Sequence, residues 1–231
     1  MIFIQPKVEP IVQGPGKEGI FKQIEIAGRT CYFSQDKITD ESCYRFVDRM
    51  ISSGHLAMLE HGTVYLTVTY DDRIDEIRTK KFNDIVVSHY ANNKYSKVTY
   101  ANDRNTYITT NYRVIVENGW EDDLKYLSEP TEYHEKRLTF RFTTQVAITR
   151  EANRHRVNSM AERSTRFCNF SKGKFDSQIQ ISIPHFTNED EINNTLHKVF
   201  PVGYECRMSE FAVQVKRKYC PCIFWCHSTV K

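Results

Sequence analysis

The sequence predicts an α+β fold, with a mixed or antiparallel sheet flanked by helices. Three observations lead to it. Segments such as 63–70 alternate apolar and polar residues, the period of a half-buried strand. Other segments, such as 19–32, repeat their apolar residues at helical spacing. The two kinds follow one another without a regular βαβ repeat, which argues against a doubly wound parallel sheet.

The chain has 231 residues, 40% hydrophobic and 26% charged, the balance of a globular protein. That excludes a disordered chain, a collagen-like fibre and a coiled-coil rod. A single domain over 1–231 is expected, with a surface insertion at about 71–137 and a divergent tail at about 190–231. No run of 18 apolar residues occurs, so no membrane partner is expected. The start, MIFIQPKVEP, lacks a basic n-region and a cleavage site, so no signal peptide is expected. The seven cysteines then read as reduced thiols in a cytoplasmic protein. A net charge of +3 is too small to indicate a nucleic-acid partner.

Taken in order, IFIQ (2–5) reads as a short strand. From Gly19 to Tyr32, the residues Ile20, Phe21, Ile24, Ala27 and Cys31 fall on one helical face. Thr39 or Asp40 caps the next helix, whose core face is Phe46, Val47, Met50 and Ile51, and Gly54 stops it. TVYLTVTY (63–70) is a strand with Val64, Leu66 and Val68 on one side. The stretch 71–105 is polar, bears tyrosines and has no clear period. NYRVIVENGW (111–120) forms a short helix ended by Gly119. LTFRF (138–142) and QIQISIP (178–184) complete the strands. YCPCIFWCH (219–227) shows no amphipathic period.

The densest chemical signal is RHRVNSMAERSTR, residues 154–166. Four arginines stand there against one glutamate, a local surplus of three charges, equal to that of the whole chain. Arg154, Arg156, Arg163 and Arg166 offer forked donors to phosphate or carbonyl oxygens. Ser159 and Ser164 add hydroxyls. Glu162 is the one anionic acceptor and can take a ring N–H. The set suits an anionic ligand with a polar ring, such as a nucleotide. A solvated basic face is the competing reading.

The order of these residues resembles the signature of the flavin-dependent thymidylate synthases (ThyX), R-H-R-x-x-S-x-N-E-x-S-x-R. Arg154, His155, Arg156, Ser159, Glu162, Ser164 and Arg166 match it, and Ala161 stands at the Asn position. SGHLAMLEH (53–61) is similar to the family's H-x-x-x-x-E-H segment, through His55, Glu60 and His61. AGRTCYFS (27–34) is similar to A-x-R-x-S-[FY], with Cys31 at the Ser position. Glu151 stands three residues before the first Arg, where the family has Gln or Glu. The resemblance covers about residues 20–185, weakly over 71–137.

The resemblance implies a ThyX-like fold and a reaction: dUMP is methylated to dTMP, with methylenetetrahydrofolate as carbon donor and FAD, reduced by NADPH, as hydride source. It places His55, Ala57, Glu60, Arg154, His155, Arg156 and Glu162 at FAD. It places Glu151, Arg154, Glu162, Arg163, Ser164, Thr165 and Arg166 around dUMP. Arg154, Glu162, Ser164 and Arg166 are the expected catalytic group. These shells come from different subunits in the family, so a homotetramer is implied. No metal is expected.

After about residue 190 the chain leaves the family pattern, and the family's later Asn-Arg pair is not found. A frameshifted ending, with weak turnover, is the expectation for 190–231. Two other classes stay open: a nucleotide-binding relative without catalysis, and a metal module of Cys220, Cys222, Cys226 and His227. The C-x-C-x₃-C-H spacing departs from the usual structural zinc pattern.

Overall fold

The structure, a computed structural model, describes residues 2–70, 76–101, 104–155, 157–163, 180–183, 188–191, 194 and 221–229. In chain order the strands and helices are β1 (Ile2–Ile4), β2 (Lys7–Ile11), α1 (Gly16–Tyr32), α2 (Ser42–Ser52), β3 (Thr63–Thr69), α3 (Glu76–Ala91), β4 (Lys97–Tyr100), β5 (Asn105–Asn111), α4 (Tyr112–Asn118), β6 (Arg137–Gln145), α5 (Val146–Ala152), β7 (Ser159–Glu162), β8 (Gln180–Ser182) and β9 (Pro221–Thr229). Short 3-10 turns cover Gln35–Lys37, Leu56–His61 and Glu121–Tyr126. The fold is mixed α and β, with small sheets flanked by helices, as the periodicities predict. The chain forms two compact units interleaved in sequence: 1–10, 30–33 and 140–226 make the first, and 11–29, 34–139 and 227–231 the second.

The second unit holds an antiparallel sheet of order β3-β5-β4. Its register pairs Leu66 with Ile108 and Ile108 with Val98. Val64, Leu66 and Val68 are fully buried, on the side the alternation predicts. Against them pack Ile20 and Ile24 of α1, Phe46, Val47 and Met50 of α2, and Ile115 of α4. The two helices are also tied by polar contacts. Arg29 Nε donates to Glu25 Oε1 at 2.6 Å, and the Ser42 hydroxyl donates to Glu25 Oε2 at 2.8 Å. A carboxylate this deeply buried is tolerated because its oxygens are met by a cation and a hydroxyl.

The start of α2 departs from expectation. Glu41 stands at the cap position and makes no side-chain cap bond. Ser42 instead accepts from the Thr39 N–H at 2.9 Å, and the helix begins one to two residues later than a cap at Asp40 or Thr39 predicts. Gly54 and Gly119 follow their helices with φ of 70° and 67°. Both stops were legible because this left-handed turn favours glycine.

The segment 71–137, expected as a surface insertion, carries β5, the central strand of the sheet, and α4, with Ile108, Val114 and Ile115 buried. The reason lies in its polarity. β5 reads NTYITTN, and Thr106, Thr109 and Thr110 are all buried. Threonine is β-branched and fits a strand, but it raises no hydropathy signal. Its cost of burial is offset locally, as where the Thr110 and Ser96 hydroxyls meet at 2.8 Å.

The free edge of β3 is covered by the segment after the last 3-10 turn. Leu127 bridges Leu66, and the Ser128 N–H donates to the Tyr65 carbonyl at 2.9 Å. His134 fixes this segment. The Thr131 N–H donates to its Nδ1 at 3.0 Å, so the ring proton sits on Nε2 and is given to the Leu66 carbonyl at 3.1 Å. The Tyr65 and Tyr107 rings meet the imidazole edge-on. Burial holds His134 below its ordinary pKa.

The first unit contains a sheet of order β2-β6-β9-β7 and a parallel β1–β8 pair, with Ile2 opposite Gln180 and Ile4 opposite Ser182. Arg141 and Glu9 join β6 to β2 at 2.7 Å. The expected unpatterned ending contains β9, set between β6 and β7. Ile223, Phe224 and Trp225 have the residue types that strands favour. The side chains of Cys220, Cys222, Cys226 and His227 lie outside the described residues, and so does most of 190–231.

Candidate functional site

The expected site residues fall into two groups, one in each unit. In the second unit, the group stands on the turn between α2 and β3. His55 precedes the 3-10 turn Leu56–His61, and its N–H donates to the Met50 carbonyl at 2.9 Å, which folds the chain back on the end of α2. His55 and Ala57 are exposed, and Glu60 is half-buried. The apolar Leu59 points inward and is fully buried. The turn therefore anchors itself by Leu59 while presenting His55, Ala57 and Glu60 outward.

Glu60 is held by Arg113 of α4, whose Nη1 lies 2.6 Å from Oε1. Arg113 was not singled out in the sequence. It lies inside a predicted helix, but its partner is 53 residues away, and no local spacing reveals that.

His61 belongs to the same segment and is buried in the core rather than presented. Burial lowers its pKa to about 4, against a small opposing effect of the Glu60 charge. With a folded value below the ordinary 6.5, the fold favours the neutral ring. This stability is fully present above about pH 6.5 and is lost as pH falls toward about 4. His134 adds a loss of the same sign. The thermal transition is therefore expected to fall across this window, and to fall less steeply in His61→Gln. Parallel curves for the two proteins would assign the acid loss to carboxylates.

In the first unit, the second group is built by α5, the turn after it, and β7. Glu162 ends β7 and is half-buried. Its two carboxylate oxygens have separate donors: Thr149 Oγ1 of α5 at 2.8 Å to Oε1, and Nδ2 of Asn153, the residue that caps α5, at 3.2 Å to Oε2. Thr149 and Asn153 are four apart, so a single helix face supplies both. Neither was singled out in the sequence, although the i, i+4 spacing of two polar residues just before the motif is a readable signal. Cys31 lies near Glu162, and burial followed by that negative charge raises its thiol pKa. It remains a thiol at neutral pH, unsuited to a nucleophile.

Glu151 and Arg154 pair at 3.1 Å with both side chains mostly exposed, and such a pair holds little energy. Arg154 and His155 stand in the exposed turn after α5, which is closed by the His155 N–H to the Ala152 carbonyl at 3.0 Å. Arg163 is different. It is buried, and its guanidinium lies 3.8 Å from the centre of the Phe33 ring. Phe33 itself has a φ of 49°, in the left-handed region that a bulky residue rarely adopts. A strained residue stacked on a cation marks a constrained place in the fold. Arg156, Ser164, Thr165 and Arg166 lie outside the described residues.

Strain and stacking at Phe33 can be separated by two substitutions. Phe33→Ala loses the ring and keeps the strain; Phe33→Gly loses the ring and relieves it. The glycine variant is expected to be the more stable by about 1 kcal/mol, the usual cost of a left-handed non-glycine residue. Chemical denaturation of both checks this, and equal stabilities would mean that the strain is not stored.

Among the described residues, the buried side chains of the first unit are mostly polar: Thr30, Thr143, Thr144, Thr149, Arg163 and Ser182, beside Ala161 and Ile183. The second unit has an apolar core of the ordinary kind. A search of protein-family models and of curated proteins finds no match to the chain.

Proposed function

We propose that the chain is a ThyX-like flavoprotein enzyme: it binds FAD and dUMP and forms dTMP with methylenetetrahydrofolate as carbon donor and NADPH as reductant. The observation that supports it best is Glu162, an acceptor fixed by Thr149 and Asn153 inside the only Arg-rich motif the sequence offers. The donor chemistry fits the group. Exposed Arg154 and His155 can meet phosphates, and His55 and Glu60 offer a ring and a held acceptor for flavin or ribityl groups.

Bound FAD supplies the hydride chemistry. The chain's own residues orient and stabilise. Glu162 accepts a ring N–H, and the arginines of 154–166 stabilise negative charge that develops on the pyrimidine. The site shells come from more than one subunit in this reading, which makes the active form a homotetramer.

The test is direct. The purified chain, supplied with FAD, is expected to show flavin absorbance and to sediment as a tetramer. Reduced anaerobically, it is expected to reoxidise on addition of dUMP and methylenetetrahydrofolate. A protein that takes up no FAD at any concentration overturns the reading; one that binds both ligands without reoxidation reduces it to a binding protein.

A further inference from the structure

We propose that Arg113 is a positioning residue of the flavin site, orienting the Glu60 carboxylate toward the cofactor; the proposal rests on the flavin reading of residues 55–61. Arg113 uses two edges of one guanidinium. Nη1 meets Glu60 at 2.6 Å, and Nε meets Glu117, one turn on along α4, at 2.8 Å. Two contacts on a planar fork fix its orientation, which a single charge pair would not.

The backbone below it is fixed as well. The Asn111 side chain accepts from the Val114 N–H at 3.1 Å, capping α4. The Tyr112 N–H donates to the Gly62 carbonyl at 2.9 Å. The helix that carries Arg113 is thus bonded directly to the end of the turn that carries Glu60. Beneath them Ile115 and Leu59 are both fully buried.

Glu60, Arg113 and Glu117 are 28%, 35% and 37% exposed, so the cluster stands where a ligand can reach it. Two carboxylates on one guanidinium leave a net negative charge. Arg113 fixes the Oε1 side of the Glu60 carboxylate. Glu60 is therefore presented as a held acceptor, the partner for a hydroxyl or ring N–H of the cofactor. Exposed ion pairs add little to stability. What this one supplies is orientation, and that separates its effect on binding from its effect on folding.

The experiment is an FAD titration of the full chain, followed by fluorescence, beside thermal denaturation. Arg113→Gln is expected to weaken FAD binding about tenfold, equivalent to about 1.4 kcal/mol, with the thermal transition nearly unchanged. Arg113→Lys should recover part of the loss, and Glu117→Gln should show a smaller one. In a Glu60→Gln background, Arg113→Gln should add nothing further. If the unsubstituted chain binds no FAD, the flavin reading itself fails. If it binds FAD while Arg113→Gln binds equally well, or if the Glu60 and Arg113 effects simply add, the positioning role is overturned.

Discussion

Ile108→Ala is expected to destabilise the second unit by roughly 2–5 kcal/mol, the usual cost of cutting a large buried aliphatic side chain to a methyl. Ile108 is fully buried in β5 and has strands on both sides, paired with Leu66 and Val98. Neighbours held in two directions cannot close over a cavity, so the upper half of the range is expected. Domains hold only about 5–15 kcal/mol in total. The midpoint of chemical denaturation should drop clearly, while Ile108→Val should cost no more than about 1.5 kcal/mol. Loss of under about 0.5 kcal/mol in the alanine variant, the level of an ordinary surface change, would mean that β5 is dispensable to the core.

Glu162→Ala is expected to have the largest effect on function. It removes an acceptor that Thr149 and Asn153 hold in place, and leaves both donors to find new partners. A hydrogen bond to a charged group is worth about 1.5–3 kcal/mol, so ligand affinity should fall roughly ten- to a hundredfold. dUMP binding by calorimetry and flavin content by absorbance measure it. The variant also deprives the buried Thr149 hydroxyl of its acceptor, at a cost of about 1–3 kcal/mol, so Glu162→Gln, which keeps an acceptor, serves as the stability control. Asn153→Ala, which removes one orienting donor, should give a milder version of the same loss. Unchanged binding of both ligands in Glu162→Ala would remove this residue from the site.

The two experiments probe different kinds of residue. Ile108 acts by volume, and any ligand is irrelevant to it. Glu162 acts by orientation, set by Thr149 and Asn153.

What the sequence determined by itself is local. The apolar periods of 19–32 and 46–51 locate α1 and the core face of α2, because a helical face repeats every three to four residues whatever it packs against. The alternation of Val64, Leu66 and Val68 settles which side of β3 is buried. Gly54 and Gly119 mark helix ends, since their backbone angles favour glycine. The motif at 154–166 stood out by its residue types, and the turn at 55–61 only by its resemblance to a family segment.

The tertiary structure decided what depends on distant partners. β5 is a central strand although its sequence is mostly polar, because ladder bonds satisfy its backbone and the Thr110 hydroxyl meets that of Ser96. β9 joins a sheet although its sequence shows no alternation, because its neighbours β6 and β7 lie far along the chain. His61, matched to the same family segment, is buried in the core, while the adjacent Glu60 is presented and clasped by Arg113. Arg163 was expected around dUMP and lies buried on the ring of Phe33. In each case burial or pairing comes from a residue far along the chain, and one-dimensional spacing carries no record of it.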